Sequence, residues 1–343
     1  MKVAVVGATG YGSAELIRIL HRHPYVELTQ LISSSTAGGE LKEVFSHLSH
    51  LSHSLTEWDE EAVAEEAEAV FFAAPAGISS RLAPPLAEKG VLVIDLAGDF
   101  RLGAEEYRRW YGAEPPAHPW LERAVYGLSE WSVPAIRQAE LIANPGCYPT
   151  ATLLALLPLL QAGSIADGPV TVDAKSGISG AGRGLKLTSL FSEVNENLFP
   201  YQVGVHRHTP EIEEHAYRIG GRETPVIFIP QVVPMSRGIL VTLYAPAADG
   251  WTTARLMEMA KEVYRKAPFV RVRGEGAWPR TKDVQGSNFC DIGFHVDERT
   301  GMLVGMAAID NLVKGAAGQA VQNLNLRMGW PETAGLDLLP QYP

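Results

Sequence analysis

The chain has 343 residues, with 29 Lys plus Arg against 39 Asp plus Glu and a formal net charge of −10, enough chain for about two domains. An acidic surface without a basic block excludes a nucleic-acid backbone or an anionic membrane as partner, and 46% hydrophobic with 20% charged residues is a globular composition. Two cysteines, Cys147 and Cys290, exclude a disulfide scaffold and a Cys-rich zinc site.

In chain order, Val3 to Val6 is an apolar run of the kind buried on both faces of a parallel sheet. The turn Gly7-Ala8-Thr9-Gly10-Tyr11-Gly12 follows, and then Leu16, Ile17, Ile19 and Leu20 recur at helical spacing. Residues 26–32 read as a second strand ending in Ser33-Ser34-Ser35, 60–68 as an acidic helix, 69–74 as a third strand, 78–89 as a helix and 91–95 as a fourth strand. This alternation predicts a doubly wound parallel sheet, a Rossmann-type domain over 1–147. Beyond it come an apolar helix at 150–160 and strands at 170–174, 225–230, 238–245, 289–296 and 302–309, with further helices only at 252–266 and 314–327. Long strands with few crossover helices predict an α+β domain over 148–313, with the last helix, about 314–343, packing back on the first domain. No apolar run approaches the ~18 residues that span a bilayer. The first strand-like residues begin at Lys2, which leaves no room for a signal peptide. A soluble, cytoplasmic protein is the expectation.

Glycines between a strand and a helix allow a tight turn and close approach of backbone amides to a pyrophosphate. Gly7, Thr9, Gly10, Tyr11 and Gly12 are therefore candidate dinucleotide contacts, against the plainer reading of a sharp turn that binds nothing. An acid at the end of the second strand would hold the ribose hydroxyls of NAD. Here Ser33, Ser34 and Ser35 stand there and the nearest acid is Glu40, which favours NADP(H).

Asn144-Pro145-Gly146-Cys147-Tyr148-Pro149-Thr150 is the most informative stretch. A cysteine leaving a Pro-Gly turn into a helix has its thiolate favoured by the dipole and by first-turn amides, which also suit an oxyanion. Cys290, inside an apolar strand pattern, reads as a buried structural thiol. His206-Arg207-His208-Thr209-Pro210-Glu211 supplies a base; if extended, it places His206 and His208 on one side, with Glu211 orienting a histidine or holding a substrate amide. A zinc reading of His-x-His lacks a third ligand, and His47, His50 and His53, spaced as on a helix face, read as surface. Lys175 to Arg183, rich in glycine and hydroxyls, reads as an anion cradle with Arg183 on a phosphate. Arg101, after the fourth strand, lies at the carboxyl edge of the sheet where ligands bind. A thiol nucleophile, a histidine base, an anion loop and an NADP fold together imply acyl-phosphate reduction through a thioester.

The stretches 7–11, 144–150, 176–183, 206–211 and 310–315 resemble the N-acetyl-gamma-glutamyl-phosphate reductase family from Met1 to about Trp330. The resemblance implies a second domain like the catalytic domain of glyceraldehyde-3-phosphate dehydrogenase. It implies Cys147 as nucleophile, His208 as acid/base, Asn311 beside the nicotinamide with Ser176 and Gly177 among the cofactor contacts, and Asn144, Arg101, Arg183, His206, Arg207 and Glu211 at the substrate. No metal is implied. The partners implied are a small acyl phosphate and inorganic phosphate, in a homodimer or homotetramer. Two departures stand out: Ser13 where the family usually has Gly, and no Arg after Ser34-Ser35. The competing readings are a sister reductase for carrier-bound aminoadipyl phosphate in lysine synthesis, aspartate-semialdehyde dehydrogenase, and a non-catalytic NADP-binding redox sensor.

Overall fold

Apolar runs such as Val3 to Val6 and Ala69–Phe72 need cover on both sides, and the sheet of the first half of the chain is centred on them. The computed structural model describes residues 1–116, 119–274 and 276–342. It divides into two compact units, Met1–Pro145 with Ala316–Asp337, and Gly146–Gly315 with the described residues from Leu338 onward. The expected terminal segment thus splits: Gly318–Met328 is a helix of the first unit, and the tail beyond Asp337 groups with the second.

The first unit holds β1 (Lys2–Val6), β2 (Glu27–Ile32), β3 (Leu55–Thr56), β4 (Ala69–Phe72), β5 (Leu92–Asp95), β6 (Val125–Tyr126) and β7 (Leu141–Ala143). Their order is β3-β2-β1-β4-β5-β7-β6, with all pairings parallel. Strand β1 lies between β2 and β4, so the chain order reverses beside it, and the glycine turn after Val6 sits at the carboxyl edge of that switch point. Strands β3, β6 and β7 span two or three residues each, too short to show a period in the sequence.

The second unit holds β8 (Val170–Gly177), β9 (Phe199–Pro200), β10 (Val226–Val233), β11 (Ile239–Pro246), β12 (Val270–Val272), β13 (Cys290–Asp297) and β14 (Met302–Ile309). These form one mixed sheet in the order β12-β13-β14-β11-β8-β10-β9. Alternate residues such as Val172, Val241, Leu243 and Ala307 are fully buried, and helices Cys147–Gln161, His208–Gly220 and Thr253–Val263 pack on strands of this sheet. The first of these is apolar all round, as a helix inside a core must be, and buries every side chain from Tyr148 to Leu160.

Three expectations change. The apolar helix starts at Cys147 rather than at residue 150, because Pro149 falls in its first turn, where a missing N–H costs nothing. Residues 175–177 belong to β8, and only Ile178–Ala181 forms the turn that follows. The stretch after His206 is not extended: Arg207 is helical (φ −58°, ψ −20°), and His208–Gly220 is a helix that the sequence hid behind two histidines and a proline. Before the Gly318–Met328 helix, Val313–Ala317 forms a π turn, a wide coil that often marks functional ground.

Candidate active site

Cys147 is the first residue of its helix and is partly exposed; Cys290 is fully buried in β13. Gly146 is the N-cap. Its amide donates to Glu211 Oε1 at 2.7 Å, and its carbonyl accepts from the Thr150 hydroxyl at 2.9 Å. The cap is thus built from below by a carboxylate of the His208–Gly220 helix. Glu211 is 1% exposed, and its Oε2 stands 4.0 Å from His208 Nε2. On another side the π turn closes in: a Cβ on Gly315 would lie 2.8 Å from Cys147 Cβ, so only glycine fits.

The two histidines come together, although not by strand alternation. His206 Nδ1 accepts the His208 amide at 3.1 Å, capping the helix, and the rings lie 4.7 Å apart. That acceptor role puts the proton of neutral His206 on Nε2. Burial first, then the charge of His208, pushes His206 down to about 3, so it is neutral at physiological pH. Tyr148, Tyr201 and Phe228 stand edge-on to the His206 ring. Burial raises Tyr148 strongly and Tyr201 to about 12, so both phenols stay protonated. The Tyr201 hydroxyl donates to that of Tyr148, which donates to the Gln231 carbonyl.

Other expected contacts have internal duties. Asn311 Oδ1 accepts from the Gly238 amide at 2.8 Å, and its Nδ2 donates to Ser179 Oγ at 2.9 Å, so the amide ties two turns of the second unit. The Ser176 hydroxyl donates to the Gly177 carbonyl, and Gly177 abuts Ser236, where a Cβ would come within 2.8 Å. Arg183 and Arg207 are exposed. In the first unit, Arg101 is buried and its guanidinium donates to the carbonyls of Asn144 and Leu96, both at 2.8 Å. Asn144 in turn donates to the Ala316 carbonyl and accepts from Asn323. These atoms shape the chain leading to Pro145. Nearby, Asp99 accepts from the amides of Gly77 and Ser80 and the hydroxyls of Ser79 and Tyr107. Asp95, fully buried, is pushed up to about 6 by burial and then by Asp99.

The glycine turn of the first unit fits a dinucleotide. Gly7 has φ +83°, and a Cβ there would meet the Ala73 carbonyl oxygen at 2.7 Å. No side chain caps the Tyr11–Leu20 helix, and a Cβ on Gly12 would meet open space. An anion therefore finds uncommitted room at a helix N-terminus. Ser13 is fully buried and its hydroxyl donates to the Gly7 carbonyl at 2.6 Å, which is how a serine is accommodated between helix and turn. Thr9 folds its amide back on Gly7, and Tyr11 is exposed. At the end of β2, Ser33 is buried and bonded to Ser35 and Thr36, while Ser34 and Ser35 face solvent. The His47–His50–His53 stretch is a short 3₁₀ turn and loop, not a helix face. No cluster of three or more metal-ligating side chains occurs among the described residues, and none of their helices is long and apolar enough to cross a membrane.

Residues 2–139 match the semialdehyde dehydrogenase NAD binding domain, and residues 147–311 match the semialdehyde dehydrogenase dimerisation domain. The chain is 51% identical over 345 residues to an N-acetyl-gamma-glutamyl-phosphate reductase of Brevibacillus brevis, covering 100% of both chains. The same enzyme of Geobacillus thermodenitrificans is likewise 51% identical over 345 residues, with 100% of both covered. The chain belongs to the N-acetyl-gamma-glutamyl-phosphate reductase family. It is an oxidoreductase of semialdehyde dehydrogenase type with a nicotinamide-cofactor domain. Its fold is that of aspartate semialdehyde dehydrogenase II from Vibrio cholerae in complex with ASA (TM-score 0.73, 19% identity, 96% of this chain and 98% of that one). The NADP complex of the Candida albicans aspartate semialdehyde dehydrogenase shares the fold at TM-score 0.65 and 18% identity, over 95% of this chain and 97% of that one.

The sequence offered Cys147 and His208 as candidate reacting groups without the contacts that surround them. The approach of Gly315 to Cys147 and the aromatic wall of Tyr148, Tyr201 and Phe228 had no signal beyond a glycine after Asn311-Leu312-Val313-Lys314 and a tyrosine beside the cysteine.

Proposed function

We propose that this chain reduces N-acetyl-gamma-glutamyl phosphate to N-acetyl-L-glutamate 5-semialdehyde and inorganic phosphate with NADPH, in the cytoplasmic synthesis of arginine. The observation that carries the reading is a buried carboxylate that holds the N-cap amide one residue before Cys147 and stands 4.0 Å from the His208 imidazole, in a chain half identical over its length to such reductases. Cys147 sulfur attacks the acyl carbon; the C–S bond forms, the C–O bond to phosphorus breaks, and phosphate departs. His208 receives the thiol proton. A reduced nicotinamide, when bound, supplies the hydride that takes the thioester carbon to the aldehyde level. His208 returns its proton as the thiohemiacetal collapses, the C–S bond breaks, and the thiol re-forms. First-turn amides of the Cys147–Gln161 helix support the carbonyl oxygen while it carries negative charge.

His208 is preferred over His206 as the acid/base because the Nδ1 of His206 is committed to capping and burial keeps its ring neutral. NADP is preferred over NAD because serine hydroxyls end β2 and the carboxylate of Glu40 is engaged by its own capping box and by Lys42. A homodimer or homotetramer is supported by the second unit alone. Its register lines up Ile227, Thr171 and Tyr244 in one row, and Ile227 and Tyr244 are exposed there. Leu185, Leu187 and Phe191 are exposed as well. A single copy leaves such apolar surface to water.

The test is the reverse reaction, followed by NADPH absorbance with N-acetylglutamate semialdehyde and phosphate, with NAD and the aminoadipate analogue in parallel. Turnover with NADP and the glutamate compound is expected. In Cys147→Ser it falls by about 10⁴-fold or more while cofactor binding persists. No turnover with either semialdehyde, in a protein that binds cofactor, overturns the reading.

A further inference from the structure

Glu211 stands where a carboxylate is least expected to help a thiol. Helix N-termini lower the pKa of a cysteine by favouring its thiolate, yet this one already carries an anion on the N-cap amide, one residue before Cys147. The side chain is 1% exposed, with one oxygen on Gly146 N–H and the other 4.0 Å from His208 Nε2. The helix dipole that would steady a thiolate is therefore partly answered by a fixed carboxylate.

We propose that Glu211 is a positioning residue that decides where the proton shared by Cys147 and His208 resides, holding it on the imidazole while pinning the nucleophile's turn. This inference rests on the proposed roles of Cys147 and His208. In the resting pair the thiol proton moves from sulfur to His208 nitrogen, leaving thiolate and imidazolium with no change in total charge. The carboxylate stabilises the imidazolium and repels the thiolate, so its negative charge raises the proton affinity of both partners. The nearer one, His208, is affected more. The arrangement keeps an acid in place for the collapse of the thiohemiacetal without lowering the intrinsic nucleophilicity of the sulfur, which declines as a thiol becomes more acidic.

Titratable groups near the carboxylate include His206 and Arg207 on the approach to its own helix, His215 one turn further along that helix, Cys147 and Tyr148 on the helix that Cys147 begins, and Tyr201 against Tyr148. Lys314 belongs to the π turn that packs on Cys147. Tyr148 and Tyr201 stay protonated and His206 stays neutral through the physiological range, so none of the three alters the charge balance there.

The experiment follows the iodoacetamide alkylation rate of Cys147 and the kcat/KM of the reverse reaction against pH, in wild type and Glu211→Gln. Mass spectrometry separates Cys147 from the buried Cys290. Glutamine keeps an acceptor for Gly146 N–H and removes only the charge. The thiol limb is expected to move down by about half a pH unit or more, and the upper limb, where imidazolium loses its proton, by at least about one unit. Profiles that superimpose on wild type overturn the proposal and leave Glu211 a cap. If Glu211→Gln does not fold, NMR titration of His208 in wild-type protein alkylated at Cys147 decides the matter, because the thiolate is then gone. His208 is expected to titrate at least about one unit above the ordinary histidine value of about 6.5; a value at or below that overturns the proposal. Turnover that survives in Cys147→Ser instead overturns the reaction reading, and the titration still tests the carboxylate.

Discussion

The helices Tyr11–Leu20 and Cys147–Gln161 both begin from a glycine N-cap and differ in what meets their first amides. At Tyr11–Leu20 no side chain caps Gly10, and a Cβ on Gly12 would meet open space. At Cys147–Gln161 the Gly146 amide is held by a buried carboxylate, and Gly315 fills the space against Cys147 Cβ. Both termini offer the same partial positive charge. The open one has room for a mobile anion from solution, of the kind a dinucleotide's phosphates would be. The filled one has its anion built in, so its remaining electrostatics act on protons and on charge that develops during reaction. What a helix N-terminus does is thus set by its occupancy, and occupancy is set by residues remote in sequence.

The sharpest way to break the comparison is to overfill the closed end. Gly315→Ala places a methyl 2.8 Å from Cys147 Cβ and 3.2 Å from its Cα, so Cys147 or the π turn must move. A displacement of that order costs about 10²-fold in kcat. Cofactor affinity, measured by fluorescence titration, is expected to stay within about twofold of wild type, since the substitution changes neither the glycine turn nor the serines that end β2. Unchanged kcat would show that the turn yields freely and that its closeness to the thiol has no catalytic consequence.

A third N-terminus, that of His208–Gly220, sharpens the contrast because its cap is a neutral ring, His206 Nδ1. Burial pushes His206 down to about 3 in the fold, against an ordinary histidine value of about 6.5. Between those values the unfolded chain binds more protons, so stability is full above about 6.5 and is lost as pH falls toward 3. From pH 7 to pH 5 the loss amounts to about 2 kcal/mol from this group. His206→Gln keeps an acceptor but does not titrate. Urea denaturation at the two pH values is expected to show that difference shrinking in the variant, and equal pH dependence in both proteins would assign the loss elsewhere.

The legible parts of this molecule were those encoded by neighbours in sequence. Val3 to Gly12 announced a strand, a glycine turn and a helix, and the Cys147 turn announced a thiol at a helix start. Apolar alternation gave the long strands of the second sheet within a few residues. The helix at His208–Gly220 was hidden because Pro210 and two histidines read as loop, whereas proline in a first turn is compatible with helix. The sequence did not show that polar atoms of Arg101, Asn144 and Asn311 hold backbone turns. That distinction depends on geometry over long separations, such as the 65 residues between Gly146 and Glu211. Residue type gave the chemistry available at the site; the fold decided which atoms remained to perform it.

The smallest expected effect tests the open terminus by giving it what the closed one has. Gly12→Asp introduces a carboxylate in the first turn of Tyr11–Leu20, where a new Cβ meets nothing within 4 Å. Stability has no reason to fall: glycine is a poor helix former, and an acid in the first turn is favoured by the dipole. A bound phosphate loses on both counts, because the amides gain a competing acceptor and the anion gains a like charge. A cost of about 1.4 kcal/mol corresponds to tenfold weaker binding, a modest figure for a like charge within a few ångströms at partial exposure. Fluorescence titration with NADPH should therefore give a dissociation constant raised at least about tenfold, with an unchanged or slightly higher melting temperature. Gly12→Ala separates bulk from charge, since it adds the same Cβ without the carboxylate and should bind NADPH like wild type. Equal binding by the aspartate variant would mean that the phosphates do not approach this terminus, and its openness would then be only the shape of a tight turn.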